Sequence, residues 1–350
     1  MRHPVVEEDL REIVTRVGGA LDALAGRSLV LTGATGLIGA YLVETIAWLN
    51  ETHLAAPCRL TAIARRAPAP GSPLEHLREA PGVRWVEADA RQVPPQVDEA
   101  DFLVLAATAG APRAYLADPI GTLELNGSGL GRWLDLAARA RSRAVLYFSS
   151  GEVYGSPAPA DAPTPESHAG AVDPTLPRNV YAEAKRYGEA VVLAHVRARG
   201  VPASVVRPFQ VFGPGVAPDG RAIPDFLTAA AAGEAVRLRS AGAAVRTFLY
   251  LADATVAFWQ VLLRADPGSV YNVGRSEPEM TIRAAAERIA RLGGVPLEAA
   301  ADPEVSGAPE RTVPDVSRLA SAFGFSPRHD FDDLVTRSLR WLRAHRDRAA

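Results

Sequence analysis

Residues 28–50 read SLVLTGATGLIGAYLVETIAWLN. The aliphatic run Ser28 to Thr32 predicts a strand, and the apolar stretch from about Leu37 to Asn50 predicts a helix. Between them lies a turn with the spacing G-x-x-G-x-x-G, at Gly33, Gly36 and Gly39. Strand, glycine turn and helix start together make a phosphate cradle. Gly33 permits a tight turn, Gly36 lets the backbone approach a pyrophosphate, and Gly39 lets helix and strand pack closely. Free N–H groups and a partial positive charge at the helix N-terminus favour the anion. Gly33, Thr35, Gly36, Leu37, Ile38 and Gly39 are therefore expected to bind a dinucleotide cofactor.

Outward from this turn, short apolar strands alternate with helices. Strands are predicted at Leu60 to Ala64, Val83 to Glu87, Asp101 to Ala107, Ala144 to Ser149 and Ala203 to Arg207. Helices are predicted at about 5–25, 122–141 and 180–199. This alternation implies βαβ units, hence an α/β protein with a Rossmann doubly wound parallel sheet. The organisation expected is an N-terminal helix over 1–27, a dinucleotide-binding unit over 28–206, and a smaller interleaved α/β substrate unit over 207–343. A return to the sheet is expected near 245–265, beginning at Phe248 to Tyr250. The Pro- and Ala-rich segment 156–178 is too long for a tight connection and reads as a functional surface loop.

Composition excludes several other classes. Apolar residues make up 48% and charged residues 22%, which suits a globular chain and not a disordered one. With 38 basic and 40 acidic side chains the net charge is −2, so no footprint for nucleic acid or an anionic membrane is present. The single cysteine, Cys58, has no partner for a disulfide, and no Cys/His cluster has metal spacing. The first 20 residues carry four acidic side chains and do not form a secretory signal, so a cytoplasmic location is expected.

Three further positions carry chemistry. The second strand ends Arg65-Arg66, where an NAD enzyme usually offers a carboxylate to the ribose and an NADP enzyme an arginine to the 2′-phosphate. Arg65 is available for the latter, but both arginines also fit a solvated turn, so NAD and NADP both stay open. Tyr181 and Lys185 stand four apart at a helix start and share a face. A lysine ammonium there, with an oxidised nicotinamide nearby, favours the phenolate, which can take a proton from a substrate hydroxyl. Ser150 lies just beyond the strand AVLYFS, at the edge where a parallel sheet presents side chains to a ligand.

These motifs resemble the extended short-chain dehydrogenase/reductases, in particular the nucleotide-sugar epimerase/dehydratase family. The likeness runs over about 28–343 and includes TGATGLIG at 32–39, Asp89, Ala106-Ala107, SSGEVYG at 149–155, YAEAK at 181–185, RPFQVFGP at 207–214 and VRTFLYLAD at 245–253. It implies that Asp89 and Ala90 sit near the adenine, that Ala106 and Ala107 face the cofactor, and that Arg246 lies near the diphosphate of a nucleoside-diphosphate sugar. Three segments are similar to UDP-glucuronate decarboxylases: PRNVYAEAKRYGE at 177–189, APRAYLADPIGTLELN at 111–126, and DGRAIPDFL at 219–227. By that likeness Arg113, Tyr115, Asn126, Gln210, Arg221 and Arg246 belong to the substrate site, with Arg113 expected on the C6 carboxylate. Glu152 joins Ser150, Tyr181 and Lys185 as a catalytic residue, because decarboxylases and 4,6-dehydratases of this family carry a glutamate there. Gly151 stands where glucose-type 4,6-dehydratases carry an aspartate.

The implied chemistry begins with oxidation of the sugar at C4. The ketone can then lose carbon dioxide from a C6 carboxylate, eliminate across C5–C6, or be reduced on its other face. Decarboxylase, 4,6-dehydratase and 4-epimerase activities all stay open, as does a non-catalytic cofactor-binding role. Related enzymes pair through two helices, here those near 115–140 and 180–199, so a homodimer is expected.

Overall fold

The computed structural model describes residues 2–108, 110–299 and 309–346. Strands β1 (Ser28–Thr32), β2 (Arg59–Ala64), β3 (Val83–Glu87), β4 (Phe102–Leu105), β5 (Ala144–Phe148) and β6 (Ala203–Pro208) join Val270–Val273 in a seven-stranded sheet. The order is Val270–Val273, β6, β5, β4, β1, β2, β3, and every pairing is parallel. Leu29 stands opposite Leu60 on one side and Phe102 on the other. The order reverses between β1 and β4, which opens a crevice at the carboxyl ends of the strands. Gly33, Arg65, Asp89, Ala106 and Ser150 all follow those ends.

The strands are nearly continuous in apolar residues because helices cover both faces. One face packs on α2 (Leu37–Thr52) and, further along, on α8 (Leu251–Arg264), with Phe258 edge-on to Phe148 at 4.7 Å. The other face buries Leu103, Leu105 and Val145 against Trp133 of α5 (Leu130–Ala140) and Val192 of α6 (Val180–Arg199).

Three expectations change. The first helix is α-helical only over α1 (Pro4–Val17); Gly18, at φ +65°, ends it, and Gly18–Leu24 winds on as a 3₁₀ turn. The predicted helix 122–141 is three pieces: α4 (Pro119–Glu124), a π turn over Leu125–Gly129, and α5. Finally, the strand expected at Phe248 to Tyr250 does not join the main sheet. Leu249–Tyr250 pairs with Val211–Phe212 in a separate two-stranded sheet, the return near 245–265 is made by helix α8, and the added strand is Val270–Val273. The stretch from 248 to 262 is buried throughout, so its apolar run carries no periodicity that separates strand from helix.

The C-terminal half adds α7 (Ala222–Ala232), α9 (Ile282–Gly293), α10 (Ser317–Phe323) and α11 (Phe331–Arg346), with Val245–Arg246 held between Met280–Thr281 and Arg311–Thr312. Helix α1 is tied across this half by buried polar contacts. Asp9 accepts from Tyr41 Oη at 2.7 Å, Tyr250 Oη at 2.5 Å and Arg337 at 2.9 Å. Arg16 pairs with Asp253, and Glu12 meets His329 Nε2 at 2.9 Å. Among the described residues no helix is long and apolar enough to cross a membrane, and no group of three or more His, Cys, Asp or Glu could hold a metal.

Candidate active site

The glycine turn is built for close approach. Gly33 has φ +74°, and a Cβ there would lie 2.8 Å from the Ala107 nitrogen. A Cβ on Gly39 would lie 2.1 Å from the Gly33 carbonyl oxygen, so a side chain would push α2 away from the turn. Ala107 N–H donates to Thr32 Oγ1 at 3.2 Å, which pins the end of β4 beside the turn. Gly36 caps α2 with no side-chain hydrogen bond, leaving the first N–H groups of the helix for a ligand. Thr35 and Gly36 are exposed, while Leu37 and Ile38 are half-buried. This open, side-chain-free cradle fits a dinucleotide pyrophosphate.

Arg65 is exposed at the end of β2, and its charge acts on Asp89. The Asp89 carboxylate accepts from Arg91 Nε at 2.9 Å and from a second Arg91 nitrogen at 2.6 Å. Those bonds hold it below the usual carboxylate range, and Arg65 adds to the effect. The carbonyl of Ala90 accepts from Trp133 Nε1 at 2.7 Å. A mostly apolar cavity of about 580 Å³ adjoins the turn on its far side, between α2, residues 66–74, Pro214–Pro218 and α11. It touches Thr35, Gly36 and Leu37 but not Ser150, Tyr181 or Lys185.

Across the crevice α6 lies along β5. Lys185 is fully buried, and its Nζ donates to the Phe148 carbonyl at 2.7 Å. Burial pushes its pKa down to about 7 against the opposing charge of Glu189. Nζ sits 5.0 Å from the Tyr147 ring centre and 5.8 Å from that of Tyr181. With one bond made, two of its three protons remain for a ligand such as a ribose. The Tyr181 hydroxyl lies against the hydroxyls of Thr108 and Ser150. Its pKa is raised by burial; Thr108, Ser150 and the charge of Arg221 oppose that rise, and Glu152 adds to it. In the protein alone burial outweighs these side chains, so the phenolate expected from the sequence needs the oxidised nicotinamide as well as Lys185.

Ser150 caps the turn Gly151–Tyr154, its Oγ accepting from Glu152 N–H at 3.2 Å. Glu152 is exposed, and its charge reaches Tyr115, Tyr181 and Arg246. Tyr115, on α3 (Pro112–Ala117), stacks on Tyr181 with ring centres 5.2 Å apart and planes 14° apart. Beneath lies a buried network in which Ser149 Oγ donates to Glu189 and Arg207 pairs with Glu189 at 2.6 Å. Arg246 is buried and donates to the carbonyls of Val245 at 2.7 Å and Pro309 at 2.9 Å. Arg221 starts α7 and pairs with Asp219 at 2.6 Å. Gln210 is half-buried, and its backbone is left-handed at φ +32°.

The structure therefore brings Ser150, Glu152, Tyr181, Lys185, Tyr115, Arg221 and Arg246 into one neighbourhood. It does not bring Asn126 there. That side chain is buried in the π turn, its oxygen accepting from Tyr147 Oη at 2.8 Å and its amide donating to the Thr122 carbonyl at 2.9 Å. Asn126 shapes the helix break and is withdrawn from the substrate site. Arg113 is exposed and makes no hydrogen bond or ion pair with the described residues. Sequence reasoning missed Thr108, Phe209 and Arg178. Phe209 fills the space at Gly151, where a Cβ would come within 2.8 Å of its ring. Arg178 acts on both Tyr115 and Arg246, and its signal was present as the Pro-Arg pair three residues before Tyr181.

A doubly wound sheet with a glycine cradle at its switch point and a Ser–Tyr–Lys set across the crevice defines a dinucleotide-dependent oxidoreductase-type scaffold. Within that class, the model of the NAD dependent epimerase/dehydratase family matches residues 29–274, and the chain belongs to that family. It is 28% identical over 318 residues to UDP-glucuronic acid decarboxylase 1 of Xenopus tropicalis, covering 91% of this chain and 72% of that one. Its fold is similar to dTDP-glucose 4,6-dehydratase of Streptomyces venezuelae (TM-score 0.79, 23% identity, 91% and 98% covered). It is also similar to an epimerase of Methanothermobacter thermautotrophicus (TM-score 0.81, 22% identity, 95% and 97% covered). At those identities the two structures speak to the fold alone.

Proposed function

We propose that this enzyme oxidises a nucleoside-diphosphate hexose transiently at C4, and that its net reaction is decarboxylation of a UDP-uronate. The observation that carries the reading is the Tyr181 hydroxyl set between Thr108 and Ser150, with Glu152 facing it and the glycine cradle across the crevice. Gly33, Thr35, Gly36, Leu37, Ile38 and Gly39 would hold the pyrophosphate, with Asp89, Ala90, Ala106 and Ala107 lining the cofactor's path and Lys185 holding a ribose. The cofactor, when bound, accepts and returns a hydride at C4. NAD is the reading the family favours; NADP rests on Arg65 alone.

Tyr181 takes the proton of the 4-hydroxyl while Ser150 and Thr108 hold that oxygen. The C4 ketone is β to the C6 carboxylate. The C5–C6 bond breaks, its electron pair forms the C4–C5 enolate, and carbon dioxide leaves. Glu152 relays a proton from water to C5, and reduction at C4 with return of the Tyr181 proton to the C4 oxygen gives the UDP-pentose. Phe209 fills the space beside Gly151, where glucose-type dehydratases carry an acid, which counts against a glucose-type elimination, although mannose-type dehydratases manage without that acid. The 28% identity to a UDP-glucuronic acid decarboxylase supports the same choice. Residues 28–206 serve the cofactor and most of 207–343 the substrate. The exposed Leu116, Ile120, Leu123 and Tyr187 on α3, α4 and α6 support a homodimer through those helices.

The test is incubation with NAD and a panel of nucleotide sugars, read by mass spectrometry. A UDP-pentose and carbon dioxide from UDP-glucuronate are expected. UDP-galacturonate would replace this reading with a 4-epimerase, and a 4-keto-6-deoxy product from a neutral hexose with a dehydratase.

A further inference from the structure

Lys185 is the only lysine in the chain; the other Lys and Arg positions are all arginine. Its buried ammonium needs an opposing charge. The groups around Nζ are the phenols of Tyr147 and Tyr181, with Tyr115 and Glu152 beyond Tyr181, and Glu189 one helical turn further along α6. Burial holds both nearer phenols neutral, and Glu152 is exposed. Glu189 is buried, and its charge is the one that opposes the loss of the Lys185 proton. Its carboxylate cannot turn away. One oxygen accepts from Ser149 Oγ at 2.5 Å and Arg207 Nε at 2.8 Å; the other accepts from Arg207 Nη2 at 2.6 Å. Arg207 is fixed in turn, donating to Tyr154 Oη at 2.7 Å and the Glu166 carbonyl at 3.1 Å, and Tyr154 Oη donates to the Asn272 side chain at 2.7 Å. A buried ion pair adds little stability over an apolar pair of the same volume. Bracing the fold is therefore a poor account of this carboxylate, and its place beside Lys185 gives a better one.

We propose that Glu189 is a positioning residue for the reaction, locked by Arg207 and Ser149 so that its carboxylate keeps the Lys185 ammonium charged in the working enzyme. The inference rests on the reading that Lys185 serves Tyr181 and the ribose of the cofactor, and not on which nucleotide sugar is consumed. Uncharged, Nζ would keep two protons, one of them spent on Phe148, and would lend the phenol no positive charge. The fork of Arg207 balances Glu189, so Lys185 feels the difference between the two. Removing the carboxylate leaves Arg207 acting on Lys185 unopposed, and removing Arg207 leaves the carboxylate unopposed. The two changes move Lys185 in opposite directions, which a network that only braces the fold would not do.

The experiment is an NMR titration of protein grown with isotope-labelled lysine, with and without NAD. A single lysine gives a single side-chain signal, so its midpoint belongs to Lys185 alone. Glu189→Gln is expected to lower that midpoint by about one pH unit or more, and Arg207→Gln to raise it. The double variant leaves neither charge unpaired, which preserves the test if the single variants fold poorly. Its midpoint should lie below the parent's and above that of Glu189→Gln. Turnover of UDP-glucuronate supplies the second readout. The ratio of parent kcat to Glu189→Gln kcat should rise about tenfold between about pH 5 and about pH 9, as the variant loses its ammonium first. A midpoint that neither single variant moves, or that both move the same way, overturns the proposal and leaves the reaction assigned above intact. If only the double variant folds, a midpoint equal to the parent's does the same. Shifted midpoints with a kcat ratio flat across pH also overturn it, because Glu189 then does not act on the reaction through Lys185. A parent that shows the expected midpoints but turns over no nucleotide sugar sinks the C4-oxidation reading, and this inference with it.

Discussion

Replacing Lys185 by methionine should make the cofactor-free protein more stable at neutral pH while abolishing turnover. The ammonium is fully buried and makes one hydrogen bond, to Phe148. Burial lowers its pKa from 10.5 to about 7. At 1.36 kcal/mol per pH unit, that gap is a cost of about 5 kcal/mol to the charged folded state. Methionine removes the charge and nearly keeps the volume, but leaves the Phe148 carbonyl without its donor, a loss of about 1–3 kcal/mol. The net gain at pH 7 is about 2–4 kcal/mol. The sign with pH follows from proton binding. Between pH 7 and 10.5 the unfolded lysine holds a proton that the folded one has released, so the parent gains stability as pH rises, by about 1.4 kcal/mol per unit. The variant has no such slope. Urea unfolding of both proteins at pH 7, 8.5 and 10 reads the difference, which should shrink toward the alkaline end. A variant less stable than its parent at pH 7, or a difference with no dependence on pH, refutes the reasoning.

Other outcomes follow from the same geometry. Tyr181→Phe should lower kcat by about 10²–10⁴-fold while leaving the Kd for NAD, measured by calorimetry, within a few-fold. Gln210→Asn should raise stability by up to about 1 kcal/mol in urea unfolding, because φ +32° suits asparagine better than glutamine. Asp9, raised from 3.8 to about 6 by burial, binds a proton in the folded state that the unfolded state has released between those values. Stability should therefore fall by about 3 kcal/mol as pH rises from 4 to 6, and Asp9→Asn should flatten that window.

The parts of the fold with strong local signals were legible. Residues 28–50 carry strand, turn and helix in one short run, and α6 spans 180–199 as its apolar spacing implies. The strand at Val270–Val273 was not found because it is only four residues long and carries a polar residue, Asn272, that the fold buries. Asn126 looked like a substrate ligand by motif; only the structure reveals that Tyr147 and Thr122 occupy its side chain. Arg178 was quoted but given no role, and its effect on Arg246, 68 positions later, emerges only in the fold. Phe209 was quoted within RPFQVFGP without a role and Thr108 lies in no quoted motif: each matters through what it touches, and contact at long sequence separation is what a single sequence conceals.

The clamp formed by α1 lies outside the span that the family model matches, which starts at residue 29. Trimming the gene to that homology boundary would look harmless and would strip Asp253 of Arg16, His329 of Glu12, and both Tyr41 and Tyr250 of their shared acceptor. Tyr250 closes the strand that follows Arg246, so the damage would travel to the rim of the candidate site. Anyone shortening this polypeptide for crystallisation or display should keep its first eighteen residues.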